Sequence, residues 1–146
     1  ILIMKMEAMR IKPEKISALN NQPVVEIIRS ERTPHVILNK TEGIIKLSGY
    51  SLPENSGDYY YPIHDWILHF IDDAPEYTSV SFDLEYFNSS SFKLLLEIIQ
   101  TLSRLRVKKK NVDFTWYYKE GDDDMFESGK QLEDLQDVKF EYICYK

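Results

Sequence analysis

The chain has 146 residues, 43% of them hydrophobic and 29% charged, which suits one domain able to build a core without disulfides or metal. Its net charge of −6 argues against sequence-independent nucleic-acid binding and against docking on an anionic membrane surface, since both rely on clustered cations. A single cysteine, Cys144, excludes an internal disulfide and a zinc site built on several thiolates, and fits a reducing cytoplasm. Only five glycines are present, and none sits in a Gly-rich loop that would cradle a phosphate.

Residues 1–9, ILIMKMEAM, are apolar but broken by Lys5 and Glu7, too short to span a bilayer. Pro13 and Pro23 bracket the polar stretch KISALNNQ, which reads as a linker or a short helix tied loosely to the body. Residues 1–23 are therefore expected to be an extension, and residues 24–146 the folded domain. VVEII from Val24 and HVILN at 35–39 are β-branched runs separated by Thr33-Pro34. The KTEG turn and IIKLS at 44–48 suggest a hairpin closed by Gly43. Residues 49–58 carry turn chemistry, with Ser56 or Asp58 suited to cap a helix. Tyr60, Ile63, Ile67, Phe70 and Ile71 then recur at helical spacing until DDAPE ends the helix.

Val80, Phe82, Leu84 and Tyr86 alternate with Ser79, Ser81, Asp83 and Glu85, the period of a strand. Asn88-Ser89-Ser90-Ser91 follows, and then Phe92, Leu95, Leu96, Ile99, Leu102 and Leu105 at helical period. Arg104, Arg106 and Lys108 to Lys110 gather at that helix's carboxyl end, where they complement its dipole. Val112 to Tyr118 alternate as a strand, GDDDM opens a helix over roughly 122–135, and Val138 to Tyr142 alternate again. Strand and helix in alternation predict an α/β domain with partly parallel pairing and right-handed crossovers. Strands with one polar face predict a mixed sheet of about five or six strands, with helices mainly on one face.

The NSSS junction is the strongest local signal. Asn and Ser accept the unpaired amides of a first helical turn, so the plain reading is a well-capped helix. One cap needs one such residue, whereas four stand in a row, and a phosphoryl group would be tolerated at a positive dipole end. Phosphorylation there would add a charge of about −1.5 to −2. Asp83 and Glu85, just upstream, would add to the repulsion of a negative partner.

Other constellations are weaker. His64 and His69 are five apart and fall on different helix faces, unlike metal ligands. Asp122, Asp123 and Asp124 with Glu120 and Glu127 lack the spacing of a calcium loop and suit the start of a helix. Ser89, His64 and Asp83 have no triad spacing, and no G-x-S-x-G or H-E-x-x-H motif occurs. Neither an enzyme active site nor a cofactor or metal is expected.

LSGYSLPENS (47–56), Trp66, LEYFNSSS (84–91), FTWYY (114–118) and DDDMFESG (122–129) together resemble the SiaC family of bacterial regulatory phosphoproteins. The resemblance runs from about Val24 to Ile143 and implies a fold like the STAS-type anti-sigma factor antagonists. It implies phosphorylation of the hydroxyl residue after the motif's Asn, here Ser89, with Ser90 as the other candidate. Asn88, Ser90 and Ser91, with Pro53, Glu54 and Asn55, are then expected to border the partner-binding surface. The implied partners are a cognate Ser/Thr protein kinase, a PP2C-type phosphatase and a diguanylate cyclase bound by the unphosphorylated form, which links the switch to cyclic-di-GMP and biofilm behaviour. The alternative is a STAS-type antagonist in a partner-switching circuit unrelated to cyclic-di-GMP.

Overall fold

The computed structural model describes residues 8–146. Seven strands form one sheet in chain order: β1 (Met9–Ile11), β2 (Val24–Ile27), β3 (His35–Asn39), β4 (Ile44–Ser51), β5 (Tyr77–Phe87), β6 (Asn111–Lys119) and β7 (Phe140–Tyr145). β2, β3 and β4 form an antiparallel meander, while β4 to β7 run parallel. Three helices make the parallel crossovers: α1 (Ser56–Phe70), α2 (Ser89–Val107) and α3 (Asp123–Gln136). Each crossover advances one strand in the same direction, so right-handed connections put all three helices on one face. The mixed α/β sheet expected from the alternation is thus present.

The β3–β4 hairpin closes where expected. Gly43 has a φ of +69°, and a side chain there would run into the Tyr77 carbonyl, so only glycine fits. On the helix side, Ile45, Leu47, Val80, Phe82, Leu84, Phe114 and Trp116 pack against Ile63, Ile67 and Phe70 of α1 and Leu95, Ile98 and Leu102 of α2, all essentially buried. Lys46, Ser81, Asp83, Asp113 and Thr115 point to the other, open face, as their polarity requires.

The strand count exceeds the expectation because residues 9–19 belong to the fold. β1 pairs in parallel with β2, a 3-10 helix spans Pro13–Ala18, and Ile11, Ile16 and Leu19 join the core. The Trp66 Nε1 donates to the Gln22 carbonyl at 2.7 Å and fastens the segment's end to α1. The short helix is real, but the loose tie is not. Lys5 and Glu7, which interrupt the apolar start, lie outside the described residues. Among the described residues, no helix is long and apolar enough to cross a membrane.

Helix starts also differ in detail. Asn55, rather than Ser56 or Asp58, caps α1, its side chain accepting from the Asp58 amide at 3.1 Å. All three residue types cap well, and Ser56 spends its hydroxyl elsewhere. Asp122 caps α3 as the acidic run suggests, accepting from the Met125 amide at 3.0 Å.

Candidate functional site

The carboxyl ends of β4 and β5 deliver the chain into α1 and α2, so the two helices begin side by side. Asn88 caps α2, its side-chain oxygen accepting from the Ser91 amide at 2.9 Å and from the Ser90 hydroxyl at 3.1 Å. Ser56 and Ser90 hydroxyls share a hydrogen bond of 2.6 Å, which ties the first turns of α1 and α2 together.

The three serines of NSSS therefore have three fates. Ser91 is fully buried: its hydroxyl receives a bond from Ser51 at 2.9 Å and donates to the Ser51 carbonyl at 3.2 Å. Ser90 is exposed but engaged by Ser56 and Asn88. Ser89 is exposed, and its hydroxyl makes no hydrogen bond to any described residue. Ser91 is in phase with Leu94, Leu95, Ile98 and Leu102 on the buried stripe of α2, so within the free chain its side chain faces the core. Pro53 is likewise buried, while Glu54 and Asn55 are exposed.

Below Ser91 lies a chain of donors. Tyr60 donates to Ser51, Ser51 to Ser91, and Ser91 to the Ser51 carbonyl, so every hydroxyl proton is used. Burial pushes the Tyr60 phenol far above its ordinary pKa, which keeps it a neutral donor. Removing Tyr60's hydroxyl takes away one bond and strands nothing, so Tyr60→Phe should cost about 1 kcal/mol. Ser51→Ala leaves the Tyr60 hydroxyl buried without its acceptor and should cost up to about 3 kcal/mol. Denaturant melts of the two variants check this order; equal costs would contradict it.

Ser89 opens onto a depression of about 280 Å³ whose other walls are Phe87, Asn88, Phe92 and Gln131. Phe87 and Phe92 stack at 6.1 Å, giving it an aromatic floor without a charged group. Asp83 and Glu85 do not line it. They share a separate concavity on the open sheet face with Arg29, Tyr117 and Tyr145. Glu85 lies 3.6 Å from Arg29, and burial, followed by the negative charge of Asp83, raises the Tyr145 phenol's pKa.

Two features escaped the sequence reading. Gln131 reaches the depression from α3, with no local pattern to reveal it. A β-bulge that skips Glu85 sets Tyr50 opposite Tyr86, leaving two exposed aromatics near the start of α2. His64 is half-buried and bonded to Thr101 at 2.7 Å, a structural role on the α1–α2 contact. Burial lowers its pKa. Among the described residues, no group of His, Cys, Asp and Glu is placed to hold a metal.

Known proteins share this fold. The sequence model of the SiaC family regulatory phosphoproteins matches residues 27–145. An uncharacterized protein of Pseudomonas aeruginosa (strain UCBPP-PA14) is 27% identical over 89 residues, 61% of this chain and 71% of that protein. The fold superposes on the solved structure of SiaC of Pseudomonas aeruginosa with a TM-score of 0.74 at 22% identity, covering 85% of this chain and all of that one. It also superposes on the structure of the diguanylate cyclase SiaD in complex with its activator SiaC from the same organism, with a TM-score of 0.77 at 22% identity over 83% of this chain and 99% of that one. With the family match running from the end of β2 to the end of β7, the chain belongs to the SiaC family of regulatory phosphoproteins.

Proposed function

We propose that this chain is a phosphorylation-switched binding protein of the cytoplasm, with no chemistry of its own, whose acceptor is Ser89. In its unphosphorylated form it binds and activates a diguanylate cyclase. A cognate Ser/Thr kinase adds the phosphate and a PP2C-type phosphatase removes it. The observation that carries the acceptor assignment is the difference among the three serines. Ser91 is buried, Ser90 is held by Ser56 and Asn88, and Ser89 alone is both exposed and unengaged. A kinase needs a hydroxyl it can reach without breaking the helix start, and Ser89 meets that need. The family match and the fold shared with an activator bound to its cyclase support the rest.

The helix also suits the product. A phosphate at the first position of α2 sits at the positive end of a 19-residue dipole, and Lys93 stands one turn further on. Incubation with the kinase should add one phosphate by intact mass to the wild type and to Ser90→Ala. Ser89→Ala should take up none. A Ser89→Ala chain that still gains one phosphate would overturn the assignment.

A further inference from the structure

The segment ahead of the family match also builds part of the surface. Its 3-10 helix forms one wall of a groove of about 790 Å³, and the opposite wall is the loop before α1 with that helix's first two turns. Pro13 and Ile16 come from the segment, and Pro53, Tyr59, Tyr61 and Pro62 from the body. The Tyr59 hydroxyl donates to the Pro34 carbonyl at 3.1 Å, which fixes its ring. The Tyr61 ring lies over Gly57, where a Cβ would collide with it, yet 60% of the residue is exposed. Prolines and braced tyrosines make a rigid apolar surface that loses little entropy when covered.

The charges at its rim are one-sided. Glu14, Glu54 and Asp58 are exposed carboxylates that form no ion pair among the described residues. Against them stands one cation, Arg32, whose Nε already donates to the Leu52 carbonyl at 3.1 Å. An acidic rim around aromatic and proline rings has the chemistry that recognises extended, proline-containing segments with basic residues. Tyr61 offers an uncovered face to a guanidinium, and the carboxylates offer charge-assisted hydrogen bonds.

We propose that this groove docks an extended segment of a partner protein in which arginines flank proline and other apolar residues. It includes the Pro53–Glu54–Asn55 loop that the family resemblance sets at the border of the partner surface, but none of its lining residues lines the Ser89 depression, and it needs no phosphate. Part of its wall, Pro13, Glu14, Ile16 and Ser17, comes from ahead of residue 27, outside the family match.

The test uses the full unphosphorylated chain and a fluorescein-labelled synthetic peptide, Arg-Pro-Leu-Pro-Arg-Pro-Leu-Pro-Arg, read by anisotropy. No kinase or cyclase is present, so the groove and the switch succeed or fail separately. Saturable binding is expected, at least tenfold weaker for the counterpart with Glu in place of every Arg. The Glu14→Gln, Glu54→Gln double variant and Tyr61→Ala should each lose at least tenfold, with melting temperatures unchanged because all three side chains are exposed. Absent binding, equal binding of the two peptides, or variants that bind as wild type would overturn the proposal. So would sedimentation of a dimer that Tyr61→Ala dissolves, since a second copy would then fill the groove.

Discussion

Phosphorylation of Ser89 is expected to weaken binding to a diguanylate cyclase partner at least a hundredfold, a loss of about 3 kcal/mol. The mechanism follows from the depression rather than from the overall charge. The sequence points to repulsion from Asp83 and Glu85, but both face the open side of the sheet and line a different concavity. What surrounds Ser89 is neutral: two phenylalanines, Asn88 and Gln131. A group of charge about −2 covered there by a partner must shed its water, and the helix start with Lys93 replaces only part of that hydration. Salt separates the two mechanisms. Repulsion between exposed like charges is screened within about 8 Å at physiological ionic strength, so affinity lost that way returns as salt rises. Affinity lost to desolvation does not. Calorimetric titration of both forms at low and high salt should therefore show a gap that salt leaves largely intact. A gap below tenfold would sink the switch, and one that closes with salt would restore the repulsive account.

The parts of the fold that were legible are those where one periodicity speaks clearly. β5 alternates through Val80, Phe82 and Leu84, α2 repeats through Leu95, Ile99 and Leu102, and the NSSS junction marks the change between them. The phase of α2 was harder to read. A stripe begun at Phe92 and Leu96 is slightly rotated, for both are only half-buried, whereas Ser91 and Leu94 lie inside. Starting the count at a polar residue is the step that propensity discourages, and it hid the inward role of Ser91. β1 was illegible for a different reason. Three residues carry no period, and its companions Ile16 and Leu19 stand among charged and polar neighbours. Asp83 and Glu85 show the opposite error: alternation placed them on the polar face, but nearness in sequence invited a link to Ser89. Two strand residues that share the face opposite the helices cannot easily border a helix start. Gln131 and the Tyr50–Tyr86 pair depend on tertiary approach and a bulge, which no short-range pattern encodes.

Trp116→Ala should cost about 3–5 kcal/mol, the usual range for emptying a large buried aromatic site. For a domain of this size that lowers the melting temperature by roughly 6–20 °C. Trp116 is fully buried, stacks on Phe140 at 5.5 Å, meets Phe82 at 5.6 Å, and donates its Nε1 to the Met125 carbonyl at 3.0 Å. It thereby joins β5, β6, β7 and the start of α3. Gly129 explains how α3 comes so close, because a Cβ there would lie 2.7 Å from the indole. Two effects then compete in Gly129→Ala. Helix propensity favours alanine by about 1 kcal/mol, while forcing a methyl into a packed ring costs about 1–3 kcal/mol. The clash should win, and Gly129→Ala should destabilise the wild type. In the Trp116→Ala background the ring is gone, the methyl enters the space left, and the same substitution should stabilise. Urea denaturation of the four chains measures this change of sign, and a Gly129→Ala effect of the same sign in both backgrounds would refute the contact. The consequence reaches Ser89. Phe87 packs edge-on against Trp116 at 6.2 Å and stacks on Phe92 beneath the Ser89 depression. Emptying the Trp116 site therefore removes the support under the surface that a partner would cover, so binding should weaken in Trp116→Ala even where the chain remains folded.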